Sequence, residues 1–135
     1  MTDTVATVAK LSLYPVKSMA GMPVEEAHVG LDGVLGDRQY SFVRASHAAK
    51  SSFPWMTARE SSRMLVYKPE FTQSPSPEQP EPPVKVRTPE GELCDPGDSH
   101  LAEELTARTG VKLESTPTSY APERFVSGMP FAWSQ

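Results

Sequence analysis

Two short stretches near the N-terminus combine positive charge with hydrogen-bond donors. In YPVKS, Lys17 and Ser18 follow a proline that should end a strand. They offer an ammonium group, a hydroxyl and a backbone N–H, which together suit a phosphate oxygen. In GDRQY, Asp37 can brace Arg38 and aim its guanidinium group at an anion. Chemistry alone favours simpler interpretations, namely a solvated lysine at a strand end and an Asp–Arg pair that stiffens a turn.

The remaining residues of chemical interest point to no catalytic centre. The stretch TARESSR adds Arg59 and Arg63, which are ambiguous by themselves. The chain has no G-x-S-x-G, P-loop or G-x-G-x-x-G motif. Cys94 is the single cysteine, so an internal disulfide is impossible, and we predict a buried, inert thiol. The three histidines lie far apart without an i,i+4 pair, and we therefore predict no metal site: His28, His47 and His100.

Composition places the chain among globular proteins. With 135 residues, 38% hydrophobic and 22% charged, it suits one domain with a sizeable core. Fourteen prolines argue against an all-helical fold. No apolar run is long enough for a membrane span, and the N-terminus lacks the pattern of a signal peptide. We therefore expect a cytoplasmic protein without a membrane partner.

Charge is distributed unevenly between the two halves of the chain. The net charge of −4 argues against a nucleic-acid partner. Residues 1–68 nevertheless carry eight Lys/Arg against six Asp/Glu, whereas residues 69–135 carry five against eleven. The first half can therefore offer a local cationic site within an acidic molecule.

Periodicity and turn residues predict the elements that must position these side chains. Strands are predicted from β-rich or alternating stretches: Val5–Val16, Val24–Val29, Tyr40–Arg44, Trp55–Ala58, Met64–Tyr67 and Val111–Leu113. The proline-rich segment 71–83 is predicted to be a plain extended or disordered loop. A hairpin should join 84–88 to 92–94, and a helix should follow over 99–109, ending at Gly110. The fold class is therefore mainly β, a small barrel of about six to eight strands with one α-helix near residues 99–109.

Several motifs occur together in the order of a known family. YPVKS, GMPVEEAHV, GLDGVLGDRQY, WMTARESSRM and VYKP resemble the N-terminal β-barrel domain that precedes the MOSC domain, as in amidoxime-reducing component-like proteins. The likeness is strongest over residues 7–69. The resemblance implies a domain over residues 1–120, with 121–135 a tail or the start of a MOSC domain.

The resemblance also implies a function. It assigns Lys17, Ser18 and Arg38 to the phosphate-bearing end of the molybdenum cofactor (molybdopterin), while Arg59 is a candidate for the same contact or for bracing the barrel. The chain would form part of the substrate-side wall of an oxidoreductase or sulfur-carrier site, with a MOSC domain as its partner in cis or in trans. That MOSC domain would supply the metal-ligating cysteine. This chain alone is therefore expected to be inactive and to hold no cofactor tightly.

Two other functions fit the same residues. One is a stand-alone, non-catalytic module that binds a phosphorylated small molecule or docks on a separate MOSC protein. The other is a purely structural role, in which the lysine and arginines only stiffen the loops.

Overall fold

The structure, a computed structural model, describes residues 3–31, 33–46 and 54–117. The predicted tail at 121–135 and His47 lie outside these residues. The strands are β1 (Leu11–Leu13), β2 (Met22–Val24), β3 (Val29–Gly30), β4 (Gly33–Val34), β5 (Tyr40–Arg44), β6 (Lys68–Phe71), β7 (Val84–Arg87), β8 (Leu93–Cys94) and β9 (Leu113–Pro117). The helices are a 3-10 helix at Ser62–Val66 and α1 at Ser99–Thr109.

All strand pairs in the sheets are antiparallel, and the sheets are small. β1 pairs with β2, β3 with β4 and β5 with β9, while β6, β7 and β8 form a three-stranded sheet. Isolated bridges link Val16 to Tyr40 and Val43 to Trp55. The structure thus confirms a mainly β fold, with a single α-helix among the residues that it describes. Across the ranges described above, none of the four sheets closes into a barrel.

Three predicted elements agree closely with the structure. β5 covers Tyr40–Arg44, the predicted strand. β7 and β8 form the predicted hairpin, with Val86 opposite Cys94. Helix α1 covers the predicted residues and ends where the N–H of Gly110 donates to the carbonyl of Thr106 (2.9 Å). Turn residues mark the hairpin and Gly110 marks the end of the helix in the sequence, whereas β5 is predicted from its β-rich composition.

Other predicted strands are shorter, displaced or absent. The first begins only at Leu11, because Val5 and Val8 are 96% and 70% exposed and face no core. The predicted strand at Trp55–Ala58 is a single bridge at Trp55 followed by a turn. The strand predicted from Val111 begins at Leu113, which lies opposite Arg44 at the end of β5.

The strand predicted at Met64–Tyr67 is wrong, because a 3-10 helix covers Ser62–Val66. Met64 and Tyr67 are both fully buried, whereas Leu65 and Val66 between them are about half exposed. Burial at i and i+3 is the spacing of a helical turn and not of a strand. β6 begins directly after this turn, at Lys68.

One hydrophobic core joins the helix to the sheets. Helix α1 contributes Leu101, Ala102 and Leu105, which lie on its inner face. Further core residues come from the segment after β1, from β5, β7, β8 and β9, and from residues 56–67: Val16, Met19, Phe42, Met56, Met64, Tyr67, Val84, Val86, Cys94 and Leu113. In the part of the chain that the structure describes, no helix is long and apolar enough to span a membrane.

Candidate anion-binding site

Backbone hydrogen bonds bring the two cationic motifs side by side. The N–H of Lys17 donates to the carbonyl of Tyr40 (2.9 Å), and the N–H of Tyr40 donates to the carbonyl of Pro15 (3.2 Å). The N–H of Arg38 donates to the carbonyl of Tyr14 (2.7 Å). The residues that follow β1 therefore run beside those that lead into β5. The fold places YPVKS next to GDRQY, although about twenty residues separate them in sequence.

Two of the predicted site residues have an unusual backbone conformation. Ser18 has φ of 69° and Arg38 has φ of 51°, and they are the non-glycine residues with positive φ in the described ranges. This left-handed region is unfavourable for residues with a Cβ, and such residues often lie at functional sites. The unusual backbone conformation therefore occurs at two of the residues that the sequence motifs select.

Asp37 links the segment after β1 to the turn before β5. Its Oδ1 accepts the N–H of Tyr14 (2.9 Å), and its Oδ2 accepts Nη1 of Arg38 (2.5 Å). The bracing of Arg38 by Asp37 is therefore present, as predicted. The Arg38 side chain is still 57% exposed, while that of Asp37 is 19% exposed. Arg38 is thus oriented by a partly buried carboxylate and remains accessible to a ligand.

Lys17 is partly buried and lies over an aromatic ring. Its Nζ is 5.0 Å from the centroid of the Trp55 ring, within the range of a cation–π interaction. Burial lowers the pKa of the Lys17 ammonium, and the positive charge of Arg38 lowers it further. The positive charge of Arg38 therefore acts on Lys17 as a like-charge repulsion. A bound anion would relieve that repulsion.

Trp55 is fixed by its bridge to Val43 and by Arg44, whose Nη1 donates to the Trp55 carbonyl (3.2 Å). Arg44 also pairs with Glu60, and this carboxylate accepts the N–H of Thr57 (3.1 Å). These contacts tie the position of Trp55 to the turn that follows it.

The two arginines of TARESSR have different surroundings. Arg59 lies exposed in the turn that follows Trp55, and its role stays a prediction. Arg63 instead reaches helix α1, where its Nη1 donates to the carbonyl of Arg108 (2.7 Å). A cation bonded to a carbonyl in the last turn of a helix stabilises that end. Arg63 therefore has a structural contact away from the site.

Sequence reasoning did not select Trp55 as a site residue. In the sequence its stretch, WMTARESS, draws attention through Arg59, whereas the contact of Trp55 with Lys17 depends on the pairing of Trp55 with β5. An aromatic residue just before a cationic motif is a usable signal for cation–π contact, but it does not identify the partner.

Comparison with known proteins identifies the family. The model of the MOSC N-terminal beta barrel domain family matches residues 5–111, which is most of the chain. Neither the curated proteins nor the solved structures give a significant match. The family match covers the cationic motifs, the hairpin and helix α1 together. This chain belongs to the MOSC N-terminal beta barrel domain family.

Proposed function

We propose that Lys17, Ser18 and Arg38 bind the phosphate-bearing end of a molybdopterin cofactor within a MOSC protein. The single observation that supports this role most strongly is the meeting of the two cationic motifs at Tyr14–Lys17, with left-handed backbone at Ser18 and Arg38. The choice of molybdopterin as the ligand rests on family membership, since the MOSC family is generally associated with the molybdenum cofactor.

The donor set suits a phosphate group. An arginine carries five N–H donors in a planar fork, and the bond to Asp37 uses one of its terminal nitrogens. Lys17 adds a compact positive charge, and Ser18 adds a hydroxyl. Placing two mutually repelling cations together is unfavourable in the free protein, as the lowered pKa of Lys17 indicates through burial and the charge of Arg38. An anion at this position would favour the charged form of Lys17.

The chain's own part in the chemistry is to bind and orient. When bound, the cofactor supplies redox or sulfur-transfer chemistry at its metal. We place no catalytic residue in this chain, which would form part of the substrate-side wall of an oxidoreductase or sulfur-carrier site. The partner in this proposal is a MOSC domain, in cis or in trans.

The proposal is tested by titrating the chain first with inorganic phosphate and then with a pterin phosphate, followed by amide chemical shifts. We expect saturable shifts at residues 17, 18 and 38 in the millimolar range, with the pterin phosphate binding more tightly. No shift at these amides at millimolar ligand would overturn the proposal. Equal binding of both ligands would instead favour a module for other phosphorylated small molecules.

Matched variants separate a specific site from general attraction. We expect Lys17→Ala and Arg38→Gln to abolish the phosphate-induced shifts, with nearly unchanged thermal stability for Lys17→Ala. Lys68→Ala is the control, because Lys68 is an exposed lysine at the start of β6. An equal loss in Lys68→Ala would contradict a local site. Arg59→Gln tests whether the exposed Arg59 contributes to binding.

A further inference from the structure

Four side chains with metal-ligating atoms converge at the hairpin and the start of helix α1. They are Glu92, Cys94, His100 and Glu104, and one ligand atom from each lies within 4.8 Å of all the others. None of them belongs to the cationic site. The sequence predicts no metal site because its histidines form no i,i+4 pair, whereas this set contains a single histidine with a cysteine and two glutamates.

The fold itself produces this convergence. Glu92 directly precedes β8 and Cys94 follows two residues later on that strand, a spacing that directs side chains to one side of an extended chain. His100 and Glu104 are four residues apart on α1, and this spacing places them on one face of the helix. The connection is fixed by Asp95, whose Oδ1 accepts the N–H of Gly97 (2.9 Å).

The positions of β8 and α1 are set by the core. Cys94 is buried opposite Val86, and Leu101 and Leu105 bury the inner face of the helix. The strand pair and the helix face are therefore held together by packing before any ion binds. Such preorganisation reduces the rearrangement that metal binding would require.

The ligand types are those of zinc. A thiolate, an imidazole and two carboxylates suit a borderline-soft divalent ion in four-coordinate geometry. With metal–ligand bonds of about 2.0–2.3 Å, tetrahedral ligands lie about 3.3–3.6 Å apart. Nε2 of His100 and Oε1 of Glu92 are already 3.4 Å apart. The remaining separations, all within 4.8 Å, need only small side-chain rotations.

The solvent exposure and the negative charge of this cluster also suit a bound cation. Cys94 is buried, while the side chains of Glu92 and His100 are each 60% exposed and leave the site open to solvent. Burial raises the pKa of the Cys94 thiol, and the carboxylates of Glu92, Glu104 and Asp98 raise it further. The same negative field that disfavours a bare thiolate favours a bound divalent cation.

Glu104 has existing partners that leave it a ligand atom. Its Oε1 accepts the hydroxyl of Tyr67 (2.7 Å) and lies 3.7 Å from Nη2 of Arg108. Arg108 is also bound by Glu90 (2.7 Å). These contacts hold the carboxylate of Glu104 in place, and its second oxygen gives it acceptor capacity beyond them for the ion. Hydrogen-bonded carboxylates of this kind are typical of metal sites.

We propose that Glu92, Cys94, His100 and Glu104 bind one Zn²⁺ ion that links the β7–β8 hairpin to helix α1. On binding, the Cys94 thiol gives its proton to solvent and the sulfur, imidazole nitrogen and two carboxylate oxygens coordinate the ion. With four protein ligands the site is of the closed, structural type.

Cobalt(II) is the probe that tests this site, because a cobalt–thiolate bond has a distinctive near-ultraviolet charge-transfer absorption. The full chain is treated with chelator and titrated with Co²⁺. We expect the absorption to saturate at one equivalent and to disappear when Zn²⁺ is added. Absence of a charge-transfer band, or a stoichiometry well above one, would overturn the proposal.

Variants identify the ligands. Cys94→Ser should abolish the charge-transfer band, and His100→Asn should weaken Zn²⁺ binding at least about 10-fold. His100 is exposed, so its substitution tests the site even where Cys94→Ser disturbs the core. Glu103→Gln is the matched control, because Glu103 is an exposed glutamate beside Glu104 and outside the cluster. A band that persists in Cys94→Ser, or equal weakening in Glu103→Gln, would refute the assignment.

Discussion

Ser18 occupies a backbone position that normally belongs to glycine or asparagine. The N–H of Met19 donates to the carbonyl of Val16 (3.3 Å), which closes a turn with Lys17 and Ser18 at its centre. A positive φ at the third residue of a turn is the type II pattern, and glycine is favoured there. Serine at this position has a less favourable backbone conformation than glycine would have, but it carries a hydroxyl group that glycine lacks. This combination is consistent with a binding role.

Substitutions at Ser18 separate strain from binding. We expect Ser18→Gly to stabilise the fold by about 1 kcal/mol, because it relieves the left-handed strain. The same variant should bind phosphate more weakly, since it lacks the hydroxyl. Urea denaturation and phosphate titration measure the two effects.

Ser18→Ala is the control, as it removes the hydroxyl and keeps the strained backbone. It should lose affinity without the increase in stability. Wild-type phosphate affinity in both variants would show that the hydroxyl takes no part in binding.

The protonation of Lys17 predicts a pH dependence of binding. Its pKa lies below the ordinary value of 10.5, through burial and then through the charge of Arg38. As the pH rises, the ammonium group therefore loses its proton before pH 10.5 is reached, and its attraction for an anion is lost with the proton. We expect phosphate affinity, measured by titration calorimetry, to fall as the pH rises toward that value.

Lys17→Arg provides the comparison for this pH effect, because a guanidinium group stays charged throughout the range. Affinity in this variant should remain nearly constant at alkaline pH. An equal alkaline decrease in both proteins would place the titrating group elsewhere.

At the scale of elements, the proline-rich loop supports the turn that carries Asp37 and Arg38. Gly36 has φ of 82°, and a Cβ there would lie 2.5 Å from Cγ of Pro75 and 2.9 Å from Cζ of Phe71. The segment predicted to be a plain extended or disordered loop thus packs closely on the turn that carries Asp37 and Arg38. Gly36 is required both by its φ and by this close approach.

Gly36→Ala should therefore destabilise the fold by about 1–3 kcal/mol and weaken phosphate binding, because the turn must shift. Gly91→Ala is the matched control. Gly91 has a similar φ of 93°, but no atom lies within 4 Å of its added Cβ. Thermal denaturation should show a smaller loss of about 1 kcal/mol for Gly91→Ala. Equal losses would mean that the loop does not pack tightly on Gly36.

Elements with distinctive turn or cap residues could be predicted from the sequence. The hairpin with its Pro89-Glu90-Gly91 turn and the capped helix were correct from sequence, since the turn and cap residues act locally. The turn at Met64–Tyr67 was missed because four apolar residues in a row fit a buried strand or a helical turn equally well.

The candidate site shows the same limit. Sequence motifs selected Lys17, Ser18 and Arg38, but the bonds that join them run between Tyr14–Lys17 and Arg38–Tyr40 and depend on tertiary pairing. The positive φ of Ser18 and Arg38 has no sequence signal, because neither residue type favours it. The ring of Trp55 and the four-residue cluster around Cys94 likewise arise only from the packing of separate elements.

At the scale of the molecule, the uneven charge of the sequence corresponds to two local environments. The cationic site of Lys17, Ser18 and Arg38 lies in the first half of the chain, which carries eight Lys/Arg against six Asp/Glu. The cluster of Glu92, Cys94, His100 and Glu104 lies in the acidic half. The net charge of −4 therefore does not describe the local charge at either site. One chain can bind an anion at the first site and a cation at the second.

Both environments depend on one hydrophobic core, and this gives the last prediction. Leu105 is fully buried on α1 in the same cluster as Val16, which precedes Lys17. We expect Leu105→Ala to lower the free energy of unfolding by about 2–5 kcal/mol, because it leaves a cavity in this shared core. Leu93→Ala is the control, since Leu93 is 49% exposed and its truncation should change little. Because the core is continuous, far-ultraviolet circular dichroism and the amide signals of residues 17 and 38 should report one coincident urea transition in each variant. Separate transitions would show that the cationic site folds independently of helix α1, and would contradict a core that supports both sites.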